Sequence, residues 1–167
     1  TNNLFALNFA KASKERRLIL CEGYMDVIAL HQAGFTNAVA ALGTSFTEEH
    51  ARLIARYADE VVLVFDADAA GQKGAKRAIG LLRETGVHIR VITIPDGKDP
   101  DEFLRHNGPE RFKLLIDRSA NDVEYRLIDL GRRFPLETAD GRVAYLREAS
   151  QLLAGLSSPV ERDVYAG

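Results

Sequence analysis

Four short apolar segments alternate with helical patterns between residues 17 and 94. The apolar segments cover residues 17–21, 38–42, 61–65 and 89–94. The helical patterns between them cover residues 24–33, 48–57 and 70–84. Short apolar runs of this length indicate buried strands. Because strands that alternate with helices build βαβ units, the pattern predicts an α/β fold with a mainly parallel sheet flanked by helices.

Local signals place the ends of these helices. Thr47 precedes a helical segment with acidic residues in its first turn, which is typical of an N-cap. Gly34 and Gly86 stand where two helices should stop. Cys21 and Met25 are interpreted as core residues. The predicted buried face of the 70–84 helix consists of Ala75, Ala78, Ile79 and Leu82.

The second part of the chain shows only helical patterns. They cover residues 100–106, 109–117, 119–132 and 138–154, and Ser158-Pro159 indicates one more helix start. The chain is therefore divided into a lead-in (1–16), an α/β domain (17–106) and a small all-helical subdomain (107–167). Because residue 1 is Thr rather than Met, we expect a segment of a longer protein.

Composition excludes several classes of function. A single cysteine, Cys21, rules out an internal disulfide, and the four histidines lack the spacing of a zinc site. No apolar run approaches the roughly 20 residues that span a bilayer. The net charge of −2 argues against a chain that grips nucleic acid unaided.

Acidic residues follow three of the four predicted strands. Glu22 follows the first strand, and Asp26 lies four residues later, one helical turn on. The other acids are Asp66 and Asp68 after the third strand, and Asp96, Asp99 and Asp101 after the fourth. Ligands of open parallel sheets bind beyond the carboxyl ends of the strands. We therefore expect these carboxylates to face one crevice.

Carboxylates gathered at one edge repel each other unless they are protonated or bind a cation. Oxygen ligands without histidine or cysteine favour magnesium, manganese or calcium over zinc. Magnesium held by few carboxylates shares its shell with phosphates, which indicates two-metal phosphoryl chemistry. A lone Asp after a strand is more often a loop residue or helix cap. The repetition on three strands favours a site, with Asp96 its weakest member because Asp-Gly is an ordinary turn pair.

Two glycines and three cations are weaker signals for phosphate binding. Gly23 and Gly71 would let the backbone approach a phosphate or a neighbouring segment. Lys73, Lys76 and Arg77 follow Asp68, but a solvated helix face is the more frequent explanation for each. Of the three, Lys73 is retained as a candidate phosphate ligand.

Four motifs resemble the Toprim domain of DnaG-type bacterial primases. They are EGYMD at 22–26, ALGT at 41–44, DADAAG at 66–71 and PDGKDPD at 95–101. A Glu after one strand and Asp-x-Asp after another are shared with topoisomerases and some nucleases. The EGYMD form, the Ala-Gly after Asp-x-Asp and the Asp-Pro-Asp are more specific to primases. The resemblance extends from about residue 4 to 165 and includes PVERD at 159–163.

The resemblance implies a Toprim core with a helical subdomain, and synthesis of short RNA primers on single-stranded DNA from ribonucleoside triphosphates. Glu22, Asp66 and Asp68 would be the catalytic residues and principal metal ligands, with Glu22 also a candidate general base. Asp26, Asp99 and Asp101 would complete a site for Mg²⁺, which Mn²⁺ can replace. Gly23, Gly71 and Lys73 are the expected phosphate or nucleotide contacts.

The family also implies parts that this chain is expected to lack. They are an N-terminal domain that holds zinc, a basic subdomain that grips template and primer, and a C-terminal domain that binds the replicative helicase. The chain alone is accordingly expected to be a monomer with little or no primer synthesis, in a protein of the bacterial cytoplasm at the replication fork.

Three alternatives remain open. A Toprim nuclease or topoisomerase would share the acidic motif, but a topoisomerase needs a catalytic tyrosine in a separate domain. A phosphatase would use Asp66 as nucleophile, and its motif is expected on the first strand rather than the third. A non-catalytic module would bind only structural metal through these acids.

Overall fold

The computed structural model describes residues 3–41, 45–66, 68–95 and 99–166. The strands are β1 (Leu4–Phe5), β2 (Arg17–Cys21), β3 (Ala38–Ala41), β4 (Glu60–Phe65), β5 (His88–Thr93) and β6 (Ala120–Asn121). The helices are α1 (Leu7–Ala10), α2 (Tyr24–Gln32), α3 (Glu48–Tyr57), α4 (Ala69–Arg83), α5 (Pro100–Asp117), α6 (Asp122–Gly131), α7 (Ala139–Ala154) and α8 (Pro159–Ala166).

The described strands form one sheet in the order β1-β3-β2-β4-β5-β6. The four inner strands are parallel, and β1 and β6 pair antiparallel at the two edges. The predicted mainly parallel sheet flanked by helices is therefore confirmed. The chain moves from β2 outward to β3 and then crosses to β4 on the other side of β2. This reversal creates a topological switch point at the carboxyl ends of β2 and β4.

Helices cover both faces of the sheet. On one face, α2 and α5 contribute Leu30, Phe103 and Phe112 to a buried cluster with Ile19 of β2 and Val64 of β4. Alternate strand residues point to the opposite face, where α4 contacts β4 and β5 and α3 contacts α4. The predicted buried face of α4 is confirmed, since all four of its apolar residues are buried.

Most predicted boundaries lie within a residue or two of the observed ones. Thr47 is the N-cap of α3 and accepts a hydrogen bond from the His50 backbone N–H. Gly34 and Gly86 have positive φ values of 96° and 77° after α2 and α4, as helix-ending glycines require. The two predicted helices 100–106 and 109–117 form α5, interrupted at Gly108 with φ 76°.

One prediction about the core is wrong, and part of another falls on residues outside the described ranges. Cys21 is buried as expected, but Met25 is 61% exposed. In α2 the buried residues are Val27 and Leu30, so the helix turns a different face inward from that inferred. Leu42, the last residue of the second predicted strand, lies outside the described residues, as do Gly43 and Thr44 of the ALGT motif.

The chain consists of two compact units, residues 1–122 and 123–167. The sequence-based boundary lies between residues 106 and 107, inside α5. Because Phe112 and Ile116 belong to the buried cluster of the first unit, we assign residues 107–122 to the α/β unit. The lead-in carries β1 and α1, whose lengths of 2 and 4 residues are too short to produce a periodic pattern.

The regular secondary structure described in the second unit is all helical and consists of α6 from Val123 onward, α7 and α8. Thr138 caps α7 by accepting a hydrogen bond from the Gly141 N–H at 3.0 Å. Ser158 accepts one from the Glu161 N–H at 3.3 Å, which confirms the predicted helix start. No helix among the described residues has the length and apolar character needed to cross a membrane.

Candidate metal centre

The first two predicted site residues follow the adjacent central strands β2 and β4. Cys21 at the end of β2 is paired in register with Val64 of β4. Glu22 directly follows β2, and Asp66 directly follows β4. The charge of Asp66 acts on the Glu22 carboxylate, so the two acids are close together. Both acids therefore lie at the switch point of the sheet, as the sequence predicted.

The first turn of α2 adds Asp26 to this edge. Gly23 is the N-cap residue of α2, and Asp26 lies in the first turn of that helix. A Cβ placed on Gly23 would lie 3.2 Å from Asp26 Oδ2, which is tighter than ordinary contact. The small residue thus lets the turn fold back onto its own carboxylate.

Asp68 has a structural role in addition to its predicted role as a ligand. It is the N-cap of α4 and accepts a hydrogen bond from the Gly71 N–H at 2.7 Å. A Cβ on Gly71 would lie 2.2 Å from the Asp66 carbonyl oxygen, so only glycine fits this turn of the helix. Of the two roles expected for Gly71, the structure shows the close approach to a neighbouring segment.

The start of α5 contributes Asp99 and Asp101, in different ways. Asp99 is the N-cap and accepts a hydrogen bond from the Glu102 N–H at 2.7 Å. Asp101 pairs with Arg105 at 2.9 Å, one turn further along the same helix. Asp96 lies outside the described residues.

Five of these carboxylates, Glu22, Asp26, Asp66, Asp68 and Asp99, act on one another electrostatically. Burial first, then Asp66 and Asp99, raise the pKa of Asp26 to about 6. The pKa of Glu22 is raised by partial burial and by Asp66 and Asp68. Burial and the charges of Asp99 and Asp68 likewise raise the pKa of Asp66. The Cys21 thiol beneath them also has its pKa raised, mainly by burial and then by Asp26 and Asp66.

The donor set fits a hard divalent cation. As the side chains lie, no three histidine, cysteine, aspartate or glutamate groups among the described residues form a ready metal cage. The five acids nevertheless offer only carboxylate oxygens, and each N-cap hydrogen bond uses one oxygen of Asp68 or Asp99. Such oxygens suit a hard divalent cation such as Mg²⁺, Mn²⁺ or Ca²⁺, and a bound cation would relieve the mutual repulsion of the carboxylates.

A cleft of about 620 Å³ opens beside the acidic edge. Glu22 and Lys73 both line it, so the structure brings the candidate phosphate ligand and a candidate metal ligand to one cavity. Arg77, one helical turn beyond Lys73, also lines it, as do Phe46 and Phe65. Sequence reasoning named Arg77 as a possible phosphate contact but retained only Lys73, and it did not name Phe46 or Phe65. These wall positions become evident only when α4 packs against β4 and α3.

Comparison with known proteins finds relatives that share the region around the acidic edge. A family model described as Toprim-like matches residues 19–104. A DNA primase from Clostridium acetobutylicum is 44% identical over 98% of the chain, which spans 27% of that relative. The Aquifex aeolicus primase structure, with zinc-binding and RNA polymerase domains, is 37% identical with a TM-score of 0.78. The alignment covers 98% of this chain and 39% of that one.

A second similar structure contains nucleic acid. The RNA polymerase domain of Mycobacterium tuberculosis primase DnaG, in complex with double-stranded DNA carrying a 6-nucleotide overhang, superimposes with a TM-score of 0.83 at 33% identity. The alignment covers 98% of this chain and 54% of that chain.

The helical unit matches a second family model. It is described as the DnaB-helicase binding domain of primase and covers residues 123–167. This match replaces the expectation that the helicase-binding part of the family lies wholly outside the chain. The sequence did not signal it because the helical patterns carry no distinctive chemical group.

Proposed function

Because the chain belongs to the Toprim-like family and, within it, to the DnaG-type primases, we propose that it forms the metal-binding catalytic core of primer synthesis. The reaction would be the template-directed joining of ribonucleotides into short RNA primers on single-stranded DNA. The observation that carries this proposal is the group of five carboxylates at the switch point, where burial and the neighbouring charges raise the pKa values of Glu22, Asp26 and Asp66.

The acids at the strand ends would hold two Mg²⁺ ions. Glu22, Asp66 and Asp68 are the proposed principal ligands, and Asp26, Asp99 and Asp101 complete the site. Bound metal would supply activation of the primer 3′-hydroxyl and charge stabilisation at the triphosphate. Mn²⁺ would substitute because it accepts the same oxygen ligands.

Individual residues would prepare the site for this reaction. Glu22 is the candidate general base, since its raised pKa makes it a better proton acceptor than an ordinary glutamate. Gly23 and Gly71 would permit close approach of backbone to the phosphates, and Lys73 would contact them from the first turns of α4.

The partners follow from the family and belong to the complete protein. They are ribonucleoside triphosphates, single-stranded DNA template, RNA primer and the replicative helicase, at the replication fork in the bacterial cytoplasm. The helical unit is the proposed helicase contact within this chain. We expect the isolated chain to be a monomer and to synthesise little primer, because its net charge of −2 provides no general grip on a template.

Metal-dependent stabilisation tests the proposal. At a tenfold excess of Mn²⁺ over its Kd, binding to the folded state should add about 1.4 kcal/mol to the free energy of unfolding. The double substitution Asp66→Asn with Asp68→Asn should abolish the gain, measured as the shift in Tm with and without Mn²⁺. Asparagine remains a good N-cap, so α4 should stay intact in this variant.

A charge-matched control separates ligation from a general charge effect. Asp140→Asn with Asp163→Asn removes the same charge from exposed positions of the helical unit and should retain the full Mn²⁺ response. An equal response in the Asp66/Asp68 variant would contradict the proposed metal centre.

A further inference from the structure

Helix α2 is apolar on the side that faces solvent as well as on the side that faces the sheet. Its buried residues are Val27 and Leu30. Three of its four exposed residues are apolar or aromatic too, namely Tyr24, Met25 and Ile28. A helix that is apolar all round is ordinarily buried on all sides. Helix α2 therefore has the composition of a buried helix at a position on the surface.

Helix α3 shows the pattern of an ordinary surface helix in the same α/β unit. All of its exposed residues are charged, namely Glu48, Glu49, Arg52 and Arg56. Arg52 and Glu48 also pair with each other along the outer face of this helix. The apolar outer face of α2 is therefore a specific feature of that helix.

The lead-in extends the apolar face of α2 at both of its ends. Phe9 of α1 is 63% exposed, and its ring lies edge-on to the ring of His31 with the centroids 6.2 Å apart. The Phe5 ring of β1 lies 6.1 Å from the ring of Tyr24. Because contiguous exposed apolar surface marks an interaction site, a partner is expected here. The exposed members, which we call the α2 patch, are Phe9, Tyr24, Met25 and Ile28.

Strand β1 brings the amino-terminal side of the chain to the edge of the sheet where this patch begins. Leu4 pairs antiparallel with Ala41, the last residue of β3. Because β3 runs parallel to β2, the polypeptide upstream of Leu4 reaches β1 at the carboxyl edge of the sheet. Tyr24 and Met25 lie just after the carboxyl end of β2, at the same edge. Polypeptide that precedes β1 therefore enters beside the α2 patch.

The relatives are long enough to supply a segment that covers the patch. The chain spans 27% of the Clostridium primase and 39% of the Aquifex primase structure. A segment joined to β1 would be held near the patch at an effective concentration on the order of millimolar. A second copy in dilute solution is present at a far lower concentration. A connected segment is therefore favoured over a second copy as the occupant.

We propose that the α2 patch is the docking surface for the segment that precedes β1 in the full-length protein. Apolar side chains of that segment would cover Tyr24, Met25 and Ile28. Because Glu22 and Asp26 flank the first turn of α2, docking would also fix the position of the segment relative to the acidic edge. The inference goes beyond the metal centre and does not require a bound metal.

Oxidation of Met25 tests the proposal directly, because Met25 is the only methionine of the 167-residue chain. The chain and the full-length protein are treated with hydrogen peroxide in EDTA, and sulfoxide in the tryptic peptide 18–52 is measured by mass spectrometry. In the chain alone, Met25 should oxidise within about threefold of its rate in urea, as its 61% exposure implies. In the native full-length protein it should oxidise about tenfold more slowly than in urea. Protection of less than about twofold in that protein would overturn the proposal.

A substitution in the patch separates docking from general burial. In the full-length protein, Ile28→Lys should raise the rate of Met25 oxidation about fivefold, because a charge in an apolar interface loses its hydration. Val143→Lys is the matched control, since Val143 is 57% exposed and lies on α7 in the other compact unit. It should leave the Met25 rate unchanged, and far-UV circular dichroism verifies that both variants fold. An Ile28→Lys rate equal to that of the parent or of Val143→Lys would overturn the proposal.

Photo-crosslinking identifies the occupant. A benzophenone-bearing amino acid at position 28 of the full-length protein should form an intramolecular crosslink to a peptide that precedes residue 1 of this chain. The yield should not depend on protein concentration. A crosslink between two copies, or to a peptide that follows residue 167, would overturn the proposed occupant. These measurements need no metal, so loss of the Mn²⁺ response would contradict the metal centre and leave the docking result unaffected.

Discussion

At the amino ends of β2 and β4 charges of opposite sign meet, whereas at the carboxyl ends of the same strands charges of like sign meet. Arg17 is in register with Glu60, and their side chains form an ion pair at 2.5 Å. Arg16 and Asp59, the residues immediately before the two strands, pair at 2.8 Å. At the other end, no ion pair among the described residues involves any of the five clustered carboxylates.

The two ends also have clefts that differ in the same way. The cleft at the amino end, about 450 Å³, contains Arg17 and Lys113, which are both paired with acids, and Lys14, which forms no ion pair with a described residue. The cleft at the carboxyl end contains Lys73 and Arg77 without such partners in the described residues. Selection for stability alone would pair charges at both ends, so the unpaired end indicates function. The comparison can be tested by substitutions at each end.

The largest effect is expected from Gly71→Ala at the carboxyl end. The added Cβ would lie 2.2 Å from the Asp66 carbonyl oxygen, so α4 must move away from β4. We expect a loss of about 3 kcal/mol in the free energy of unfolding. The Mn²⁺ response should also fall, because Asp66 and Asp68 would separate. Urea denaturation with and without Mn²⁺ measures both.

Gly80→Ala provides the control on the same helix. A Cβ at Gly80 meets nothing within 4 Å, so the substitution should stabilise the chain by about 0.5–1 kcal/mol through helix propensity. Similar stability changes in the two variants would show that the close contact at Gly71 does not constrain the metal edge.

Asp26→Asn should increase stability at neutral pH in metal-free buffer. The folded-state pKa of Asp26 is about 6, above its ordinary value of 3.8. The folded state therefore binds more protons than the unfolded state between about pH 4 and 6, and stability falls as pH rises through that window. Asparagine removes this contribution. After allowance for solvent screening, we expect a gain of about 1–2 kcal/mol at pH 7.5.

The decisive measurement is how the stability difference between Asp26→Asn and the parent changes with pH. The gain from Asp26→Asn should be largest above pH 6 and disappear near pH 3.5, where the parent carboxyl is protonated too. Mn²⁺ should reduce the gain, because the parent then uses Asp26 as a ligand. A constant gain between pH 3.5 and 7.5 would show that charge repulsion is not its cause.

The sequence predicted the central sheet because buried parallel strands leave a continuous apolar run, as in 61–65. It did not predict the edge strands β1 and β6, each 2 residues long, whose formation depends on pairing with β3 and β5 beside them. The prediction that Met25 is a core residue was wrong for a related reason. Apolar character alone does not identify the inward face of α2, which the contacts with α5 determine.

The acidic edge was predictable because topology places every residue that follows a parallel strand at the same side of the sheet. Asp101 shows the limit of this topological argument. It follows the fourth strand as expected, but its side chain pairs with Arg105 along α5. The sequence named Arg77 only as a weak candidate for phosphate contact, and it gave no signal that Arg77 contacts Phe46. They are 31 residues apart and meet only because α3 and α4 pack together.

The smallest effects are expected at the paired end. Glu60→Gln should lower the free energy of unfolding by about 1 kcal/mol, because it removes a half-buried partner of Arg17. Asp59→Asn, in the exposed pair with Arg16, should destabilise less. Arg16 lowers the pKa of Asp59, so this contribution is present at neutral pH and disappears as pH falls through that lowered pKa.

Added salt should weaken the Asp59 effect more than the Glu60 effect, since exposed charges are screened more strongly. Both substitutions should have the opposite sign to Asp26→Asn at pH 7.5, measured by urea denaturation. A stabilising Glu60→Gln would remove the contrast between the two ends of the sheet.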